Sequence, residues 1–237
     1  MSSLLLQGDS FDPYYNLAVE EVLAGVCTGR RALYLWQNDN TVVVGKNQDI
    51  NSEVDAAYAR SQNIQLSRRI SGGGAVYHDL GNLNFTFAGS ENETDVIVSA
   101  MRALGLVVQT TGRNDIELVT GRESAKFSGN AYYKSGSKCF HHGTILVDTD
   151  LYVMSRVLTP DKAKLEGHGV ASVKSRVVNL REVMPSLTVD DVKSAIIKAF
   201  EDTYGKAEEM SISDLDASVI ENTRKHLSCT EWIYGGK

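Results

Sequence analysis

Three consecutive glycines, Gly72, Gly73 and Gly74, stand between an arginine pair and an apolar run in the segment RRISGGGAVYHDLGNLNFTF, residues 68–87. Glycines let backbone N–H groups approach a ligand closely and form a concave donor nest for an anion. A guanidinium, here Arg68 or Arg69, offers a planar fork for a carboxylate or phosphate. By itself the same pattern also describes a tight turn between strands with surface arginines. A nucleotide P-loop is excluded because no G-K-[ST] follows the glycines. A dinucleotide fingerprint is excluded because the spacing is wrong and the segment leads into a strand.

Further blocks add chemistry. In TGRNDIEL, Asn114 and Asp115 enter a strand, and Asp115 is a candidate for Mg²⁺, which takes one or two carboxylates together with phosphate oxygens. In SAKFSGNAYY, Lys126 is the single charge on an otherwise neutral run. Such a lysine either snorkels to the surface or points a fixed charge into a pocket. HHGTILVD places His141 and His142 before Gly143 and a strand. Adjacent strand residues point to opposite faces, so the two histidines do not form a metal pair, and one of them is expected near the pocket.

The elements that must position these residues follow from pattern. Asp12 caps a helix with Pro13 at its first position, and Val19, Val22, Leu23 and Val26 recur at helical spacing. Residues 33–38 and 41–45 read as strands joined by a hairpin turn at 38–40. Ser52 opens a helix with Asp55 as an acidic capping-box partner. Residues 82–88 alternate, with Leu83, Phe85 and Phe87 on one face and Asn84 and Thr86 on the other, as in a half-buried strand. Ile97, Met101 and Leu104 mark a helix closed by Gly105. Strands are expected at 115–119, 125–133 and 143–148. Thr188 and Asp191 cap a helix whose buried face is Val192, Ala195, Ile196, Ala199 and Phe200, ended by Gly205, and a last helix spans 213–227. This order implies an α+β fold with a mixed, mainly antiparallel sheet flanked by helices.

The 237 residues suit a single domain able to bury a core without disulfides or metal. A net charge of −6 argues against a general nucleic-acid binder. Cys27, Cys139 and Cys229 are odd in number and far apart, so neither a disulfide framework nor a zinc site is expected, and a reducing, cytoplasmic setting is. No secretory signal, transit peptide or membrane span is read from the chain.

The ordered blocks RRISGGGAVYHDLGNLNFTF, TGRNDIEL, SAKFSGNAYY, FHHGTILVDTDL and SVKSRVVNLREV together resemble the lipoate–protein ligases, over about residues 30–205. The resemblance implies the catalytic-domain fold shared with biotin ligases and a two-step reaction. Lipoate and MgATP give lipoyl-AMP, and a carrier lysine then takes the lipoyl group. The implied carriers are lipoyl domains of 2-oxoacid dehydrogenase E2 subunits and the glycine-cleavage H protein. It also implies roles. Lys126 bridges the lipoate carboxyl and the α-phosphate, and Arg69 contacts nucleotide or acyl chain. Ser71, Gly72, Gly73, Gly74, Ala75, Val76, Tyr77 and His78 line the adenylate with Asn82, Gly129, His142 and Gly143, and Asn114 and Asp115 serve the phosphate and metal region. The rival is an octanoyl or lipoyl transferase using an active-site cysteine. Its two family positions correspond to Thr111–Arg113 and to LTPDKAKLEGHG, 158–169, and neither holds a cysteine. Ligases of this family commonly continue past a W-x-[FY]-G block into an accessory domain, whereas CTEWIYGGK reaches that block and stops. The whole chain is therefore expected to be one catalytic domain. A separate accessory protein supplies the rest, or the chain adenylates unaided, or it transfers lipoyl from preformed lipoyl-AMP.

Overall fold

The structure, a computed structural model, describes residues 3–27, 29–112, 114–159 and 177–235. Among the described residues eleven strands form two sheets. The strands are β1 (Leu4–Gln7), β2 (Ala32–Trp36), β3 (Thr41–Val44), β4 (Gln65–Arg68), β5 (Val76–His78), β6 (Asn82–Ala88), β7 (Val108–Thr111), β8 (Asp115–Thr120), β9 (Glu123–Ser135), β10 (Lys138–Leu146) and β11 (Glu208–Glu209). The large sheet has the order β11-β1-β2-β6-β10-β9-β8-β7, and the small one β4-β3-β5. In the large sheet β1 pairs in parallel with β2 and β11, and every other neighbour is antiparallel. The expected α+β fold, with a mixed and mainly antiparallel sheet, is the one found.

Helices cover both faces of the large sheet. On one face α4 (Thr94–Ala103) and α6 (Val189–Tyr204) pack Ile97, Met101, Val192, Ile196 and Phe200 against Leu33, Leu35, Leu83, Phe85 and Phe87. Each such side chain contributes roughly 1.5–3 kcal/mol by leaving water. On the other face α1 (Pro13–Val26) and α7 (Ala217–Leu227) pack Leu17, Leu23, Ile220 and Leu227 against Leu4, Leu6, Tyr34 and Trp36. The small sheet has its own core, where Val42, Val44 and Tyr77 meet Met154 and Val157 of α5 (Leu151–Val157) and Ile233 of α8 (Thr230–Tyr234). No helix among the described residues is long and apolar enough to cross a membrane.

Local signals hold where they are self-contained. Asp12 accepts from the Tyr14 and Tyr15 amides, with Pro13 at the first position. Thr188 and Asp191 form a reciprocal capping box, and Gly205 ends that helix at φ +81°. Several expectations need correction. Residues 38–40 are not a hairpin turn, because β2 lies in the large sheet and β3 in the small one. Ser52 does not open a helix. Asp49 caps α2 (Ile50–Glu53), and Asp55 is itself the cap of α3 (Ala56–Ser61). β6 is buried along its whole length rather than on one face, because α1 packs over its polar side, where Thr86 donates to Glu20. The strand expected from 143 begins at Lys138, so both histidines lie within it. Asp216 caps the last long helix, which starts at Ala217 and not at Ser213. Val26, at the end of α1, is 56% exposed, not part of the buried stripe.

Candidate active site

The glycine loop joins β4 to β5 and is built around Arg69. Only 6% exposed, Arg69 donates from Nε to Ser71 Oγ, from one terminal nitrogen to the Val43 carbonyl at 3.1 Å, and from the other to the carbonyls of Gly72 and Gly74 at 2.6 and 2.8 Å. Burial pulls its pKa down to about 10, against the favourable field of Glu20, so it stays cationic at neutral pH. The loop needs its glycines. Gly73 has φ +90°, and a Cβ there would sit 2.9 Å from the Arg69 guanidinium. A Cβ on Gly45 would lie 2.2 Å from the Gly73 carbonyl. With the carbonyls turned inward to Arg69, the N–H groups of Gly72, Gly73, Gly74 and Ala75 make no hydrogen bond among the described residues. That leaves a set of free donors at the loop.

Arg68 has a different destination. Its side chain is 1% exposed and donates to the carbonyls of Gly45, Lys46 and Gln48 and to those of Trp232 and Ile233. Trp232 Nε1 returns a bond to the Arg68 carbonyl. Arg68 therefore fastens α8 to the small sheet and does not face a ligand.

Among the described residues three histidines are buried, two on β10 of the large sheet and one on β5 of the small one. His142 points to the α1 side, with Nδ1 2.7 Å from Glu20 Oε1 and Nε2 2.7 Å from Ser71 Oγ. His141 points the other way. Its Nδ1 accepts the Glu93 amide, and its Nε2 therefore donates to Asn130 Oδ1 at 2.8 Å. His78 sits beside Asn38, whose oxygen accepts from Asn16. Asn38 therefore presents its NH₂ to His78 Nδ1, and the His78 proton resides on Nε2. Burial pulls the pKa of both His141 and His78 down to about 3, and for His78 the Arg69 charge adds to it.

Lys126 is on β9, with Nζ 2.7 Å from Asp115 Oδ1 on β8. Both side chains are partly exposed, at 35% and 42%. A bulge orients them. The register runs Ile116 to Ser128 and then Glu117 to Lys126, leaving Phe127 as the extra residue. Lys126 and Gly129, three positions apart, therefore share a side, which strict alternation forbids. A Cβ on Gly129 would meet Lys126 Nζ at 2.9 Å.

Two cavities meet here. One, about 220 Å³, is walled by Leu17, Trp36, Val43, Arg69, His78 and His142. The other, about 270 Å³, is more apolar and walled by Tyr77, Phe127, Leu146, Met154, Leu158 and Val177. Gly74, Ala75, Val76, Lys126, Gly129 and Thr144 border both. Gly73, Asn114, Asp115 and Gly143 also line the first. Of the residues expected in the site, Ser71, Gly72 and Asn82 do not line either cavity. Ser71 and Asn82 are buried behind the wall, Asn82 donating to Asn84 Oδ1. Sequence reasoning missed Leu17, Glu20, Trp36, Asn84, Asn130 and Thr144. Glu20 had a signal, an acid one turn from Leu17 and Leu23 on the apolar stripe of α1.

Asp115 is the only acid lining the first cavity, and no group of three or more His, Cys, Asp or Glu side chains that could hold a metal occurs among the described residues. One carboxylate fits Mg²⁺ only when phosphate oxygens and water complete its shell. The arrangement suits two elongated ligands joined end to end, with negative charge gathering at Lys126 and the free loop amides. Cys139 lines neither cavity, and burial pushes the Cys27 thiol up to about 11, away from a reactive thiolate. Of the two cysteine positions expected for a transferase, Arg113 and the segment from 160 on lie outside the described residues, as does 172–176 of the SVKSRVVNLREV block.

A family model described as the lipoyl protein ligase A/B catalytic domain matches residues 12–201. Among solved structures, a bipartite lipoate protein ligase from Thermoplasma acidophilum, described with its E2 lipoyl domain, is 29% identical, with a TM-score of 0.82 over 100% of this chain and 96% of that one. P. falciparum LipL1 in complex with lipoate is 27% identical, with a TM-score of 0.84 over 99% of this chain and 74% of that one. A lipoate-protein ligase A bound with ATP is 27% identical, with a TM-score of 0.81 over the whole of both chains.

Proposed function

The chain belongs to the lipoyl protein ligase A/B catalytic domain family, and from that premise we propose that it activates lipoate with ATP and transfers the lipoyl group to a lysine of a lipoyl carrier domain. The observation that carries this reading is the position of Lys126, on the border of both cavities together with Gly74 and Ala75 of the loop. Lipoate lies in the cavity that runs back to Leu17 and Trp36, and adenosine in the one walled by Tyr77 and Met154. Relatives bound to lipoate and to ATP support both ligands.

In the first step a lipoate carboxylate oxygen attacks the α-phosphorus. The new P–O bond forms as the α–β bridging bond breaks and pyrophosphate leaves. Negative charge crowds onto the α-phosphoryl oxygens, where Lys126 Nζ and the N–H groups of Gly73, Gly74 and Ala75 stabilise it. Asp115, with Asn114 beside it, would hold Mg²⁺ that neutralises phosphate charge when bound. As nucleotide enters, Lys126 exchanges its contact with Asp115 for the substrate. In the second step the carrier lysine amine attacks the acyl carbon, the bond to phosphate oxygen breaks, and AMP departs. Neither step uses a nucleophile of this chain, which agrees with the placement of the cysteines.

The relative described as a bipartite ligase, of whose chain 96% is covered, supports a second polypeptide, to which we assign help in the activation step. The same relative supports E2 lipoyl domains as carriers, and the H protein is a further carrier of the same chemistry. Purified chain with lipoate, MgATP and an apo lipoyl domain should add one lipoyl group to one carrier lysine by mass spectrometry. Modification from synthetic lipoyl-AMP but not from lipoate and ATP would restrict the chain to transfer or show that it needs the accessory polypeptide. Modification from octanoyl-carrier protein without ATP would overturn the reading.

A further inference from the structure

Behind the glycine loop a single file of buried polar groups runs from Arg69 to the middle of α1. The obligate donors at its two ends, Arg69 and Trp36, give it one head-to-tail arrangement that satisfies every group. Arg69 can only donate, so Ser71 Oγ accepts from Arg69 Nε at 3.0 Å and has its own proton free for His142 Nε2 at 2.7 Å. His142 then carries its proton on Nδ1 and donates it to Glu20 Oε1 at 2.7 Å. From the other end, the Trp36 indole can only donate, so it gives its proton to Thr86 Oγ1 at 3.0 Å, and Thr86 passes its own to the same Glu20 oxygen at 2.6 Å. The file thus runs head to tail from a guanidinium to a carboxylate, with each donor in it finding an acceptor. Glu20 is 1% exposed, Ser71 1% and His142 7%, so water does not compete for these bonds.

We propose that Glu20 and His142 are positioning residues, which hold Arg69 through Ser71 so that Arg69 keeps the Gly72 and Gly74 carbonyls turned inward and the loop N–H groups turned toward the nucleotide. Arg69 has two kinds of partner. One terminal nitrogen holds the loop carbonyls, the other the Val43 carbonyl of β3, and Nε alone is tied to the file. The plane of a guanidinium is rigid, so fixing Nε fixes the direction of the other four N–H bonds. A short loop containing three glycines has little stiffness of its own, and Arg69 gives it one conformation only while its own plane is held. Glu20 acts on the loop that borders both cavities without lining either of them.

The kinetic part of this inference rests on the ligase reading, and the spectroscopic part does not. A guanidinium Nε–H buried in a hydrogen bond exchanges slowly and gives a resolved proton signal. In Glu20→Ala the Arg69 Nε–H signal should broaden or vanish and the Lys46 amide, which donates to the Ser71 carbonyl at 2.8 Å, should lose protection. The KM for ATP should rise about tenfold or more, as expected for loss of a hydrogen bond to a charged group, while kcat falls less. Glu20→Gln, which retains an acceptor oxygen, should restore both readouts to within about threefold of wild type. In a Ser71→Ala background, Glu20→Ala should add nothing further to the KM for ATP, because the file is already cut. Should Glu20→Ala fail to fold, Glu20→Asp withdraws the carboxylate by one methylene and should show the same losses in smaller measure. An Arg69 signal and ATP KM unchanged in a folded but less stable Glu20 variant would overturn the proposal, as would full additivity with Ser71→Ala. If wild type makes no adenylate even with an accessory polypeptide, the activation half of the ligase reading fails, and the Arg69 and Lys46 signals still decide this proposal.

Discussion

Arg69 and Lys126 are cations lining one cavity, and they are held in opposite ways. Arg69 is buried and gives four hydrogen bonds to the protein itself. Lys126 is one-third exposed and has one ion pair, to a carboxylate that is itself 42% exposed. A half-exposed pair of that kind contributes no more than about 1 kcal/mol to stability. The buried fork, if removed, strands three carbonyls. The difference separates two tasks. One cation shapes the site before any ligand arrives. The other must let go of its partner when substrate comes in, so a weak and solvated ion pair suits it.

Removing Arg69 tests the contrast most severely. Arg69→Ala should lower stability by about 3–5 kcal/mol, since it leaves buried acceptors without donors, and should also end nucleotide binding. Urea unfolding and nucleotide titration check both. Near-native stability would show that the loop does not depend on its arginine. Lys126→Ala should do the reverse. Adenylate formation should fall by about 10²–10³-fold, while the urea midpoint moves by the equivalent of about 1 kcal/mol at most. A large drop in stability with preserved adenylation would reverse the assignment of the two cations.

Two glycines sharpen the contrast further. Gly73→Ala places a Cβ against Arg69 at φ +90°, where neither backbone nor guanidinium can give way. It should lose about 1–3 kcal/mol of stability together with activity. Gly129→Ala places a Cβ against the tip of Lys126 at the same 2.9 Å, but that tip is flexible. Stability should change by only about 0.5 kcal/mol, and adenylation should drop as the ammonium is displaced. Equal effects of the two substitutions on the urea midpoint would dissolve the distinction.

Acidification probes the buried side alone. His78 and His141 are held neutral, their pKa values pulled from 6.5 to about 3. The unfolded chain binds a proton on each near 6.5, while the folded chain does not until about 3, so stability present above pH 6.5 is lost as pH falls toward 3. Each histidine adds a slope of up to about 1.4 kcal/mol per pH unit in that window. Urea midpoints measured from pH 7 to 5 should decline accordingly, and a flat profile over pH 6.5–5 would mean that the two rings already carry protons. The smallest effect is expected from Cys139→Ser, which should leave carrier modification unchanged. An acyl adduct trapped on Cys139 would replace the adenylate route with a thioester.

Much of this molecule was legible in the sequence because its determinants are local. The Asp12 and Thr188 caps, the glycine that ends α6, and the alternation of Leu83, Phe85 and Phe87 each involve residues within a turn or two of one another. The ordered blocks around Gly72–Gly74, Asn114–Asp115, Lys126 and His142 identified the residues that converge, since spacing along the chain preserves them. What spacing does not contain is the identity of a distant partner. Arg68 and Arg69 are adjacent and chemically identical, yet one reaches carbonyls 164 and 165 residues away and the other the loop beside it. β2 and β3 look like a hairpin, and only the assignment of strands to two sheets separates them. The polar face of β6 reads as solvent-facing, and Glu20 goes unremarked, until α1 is laid across the sheet. Lys126 reaches the same side as Gly129 only because Phe127 bulges out of register. Local backbone preference decides elements and their faces. Which buried polar groups meet is settled by long-range packing, because a side chain withdrawn from water must find its hydrogen-bond partner wherever the fold brings one.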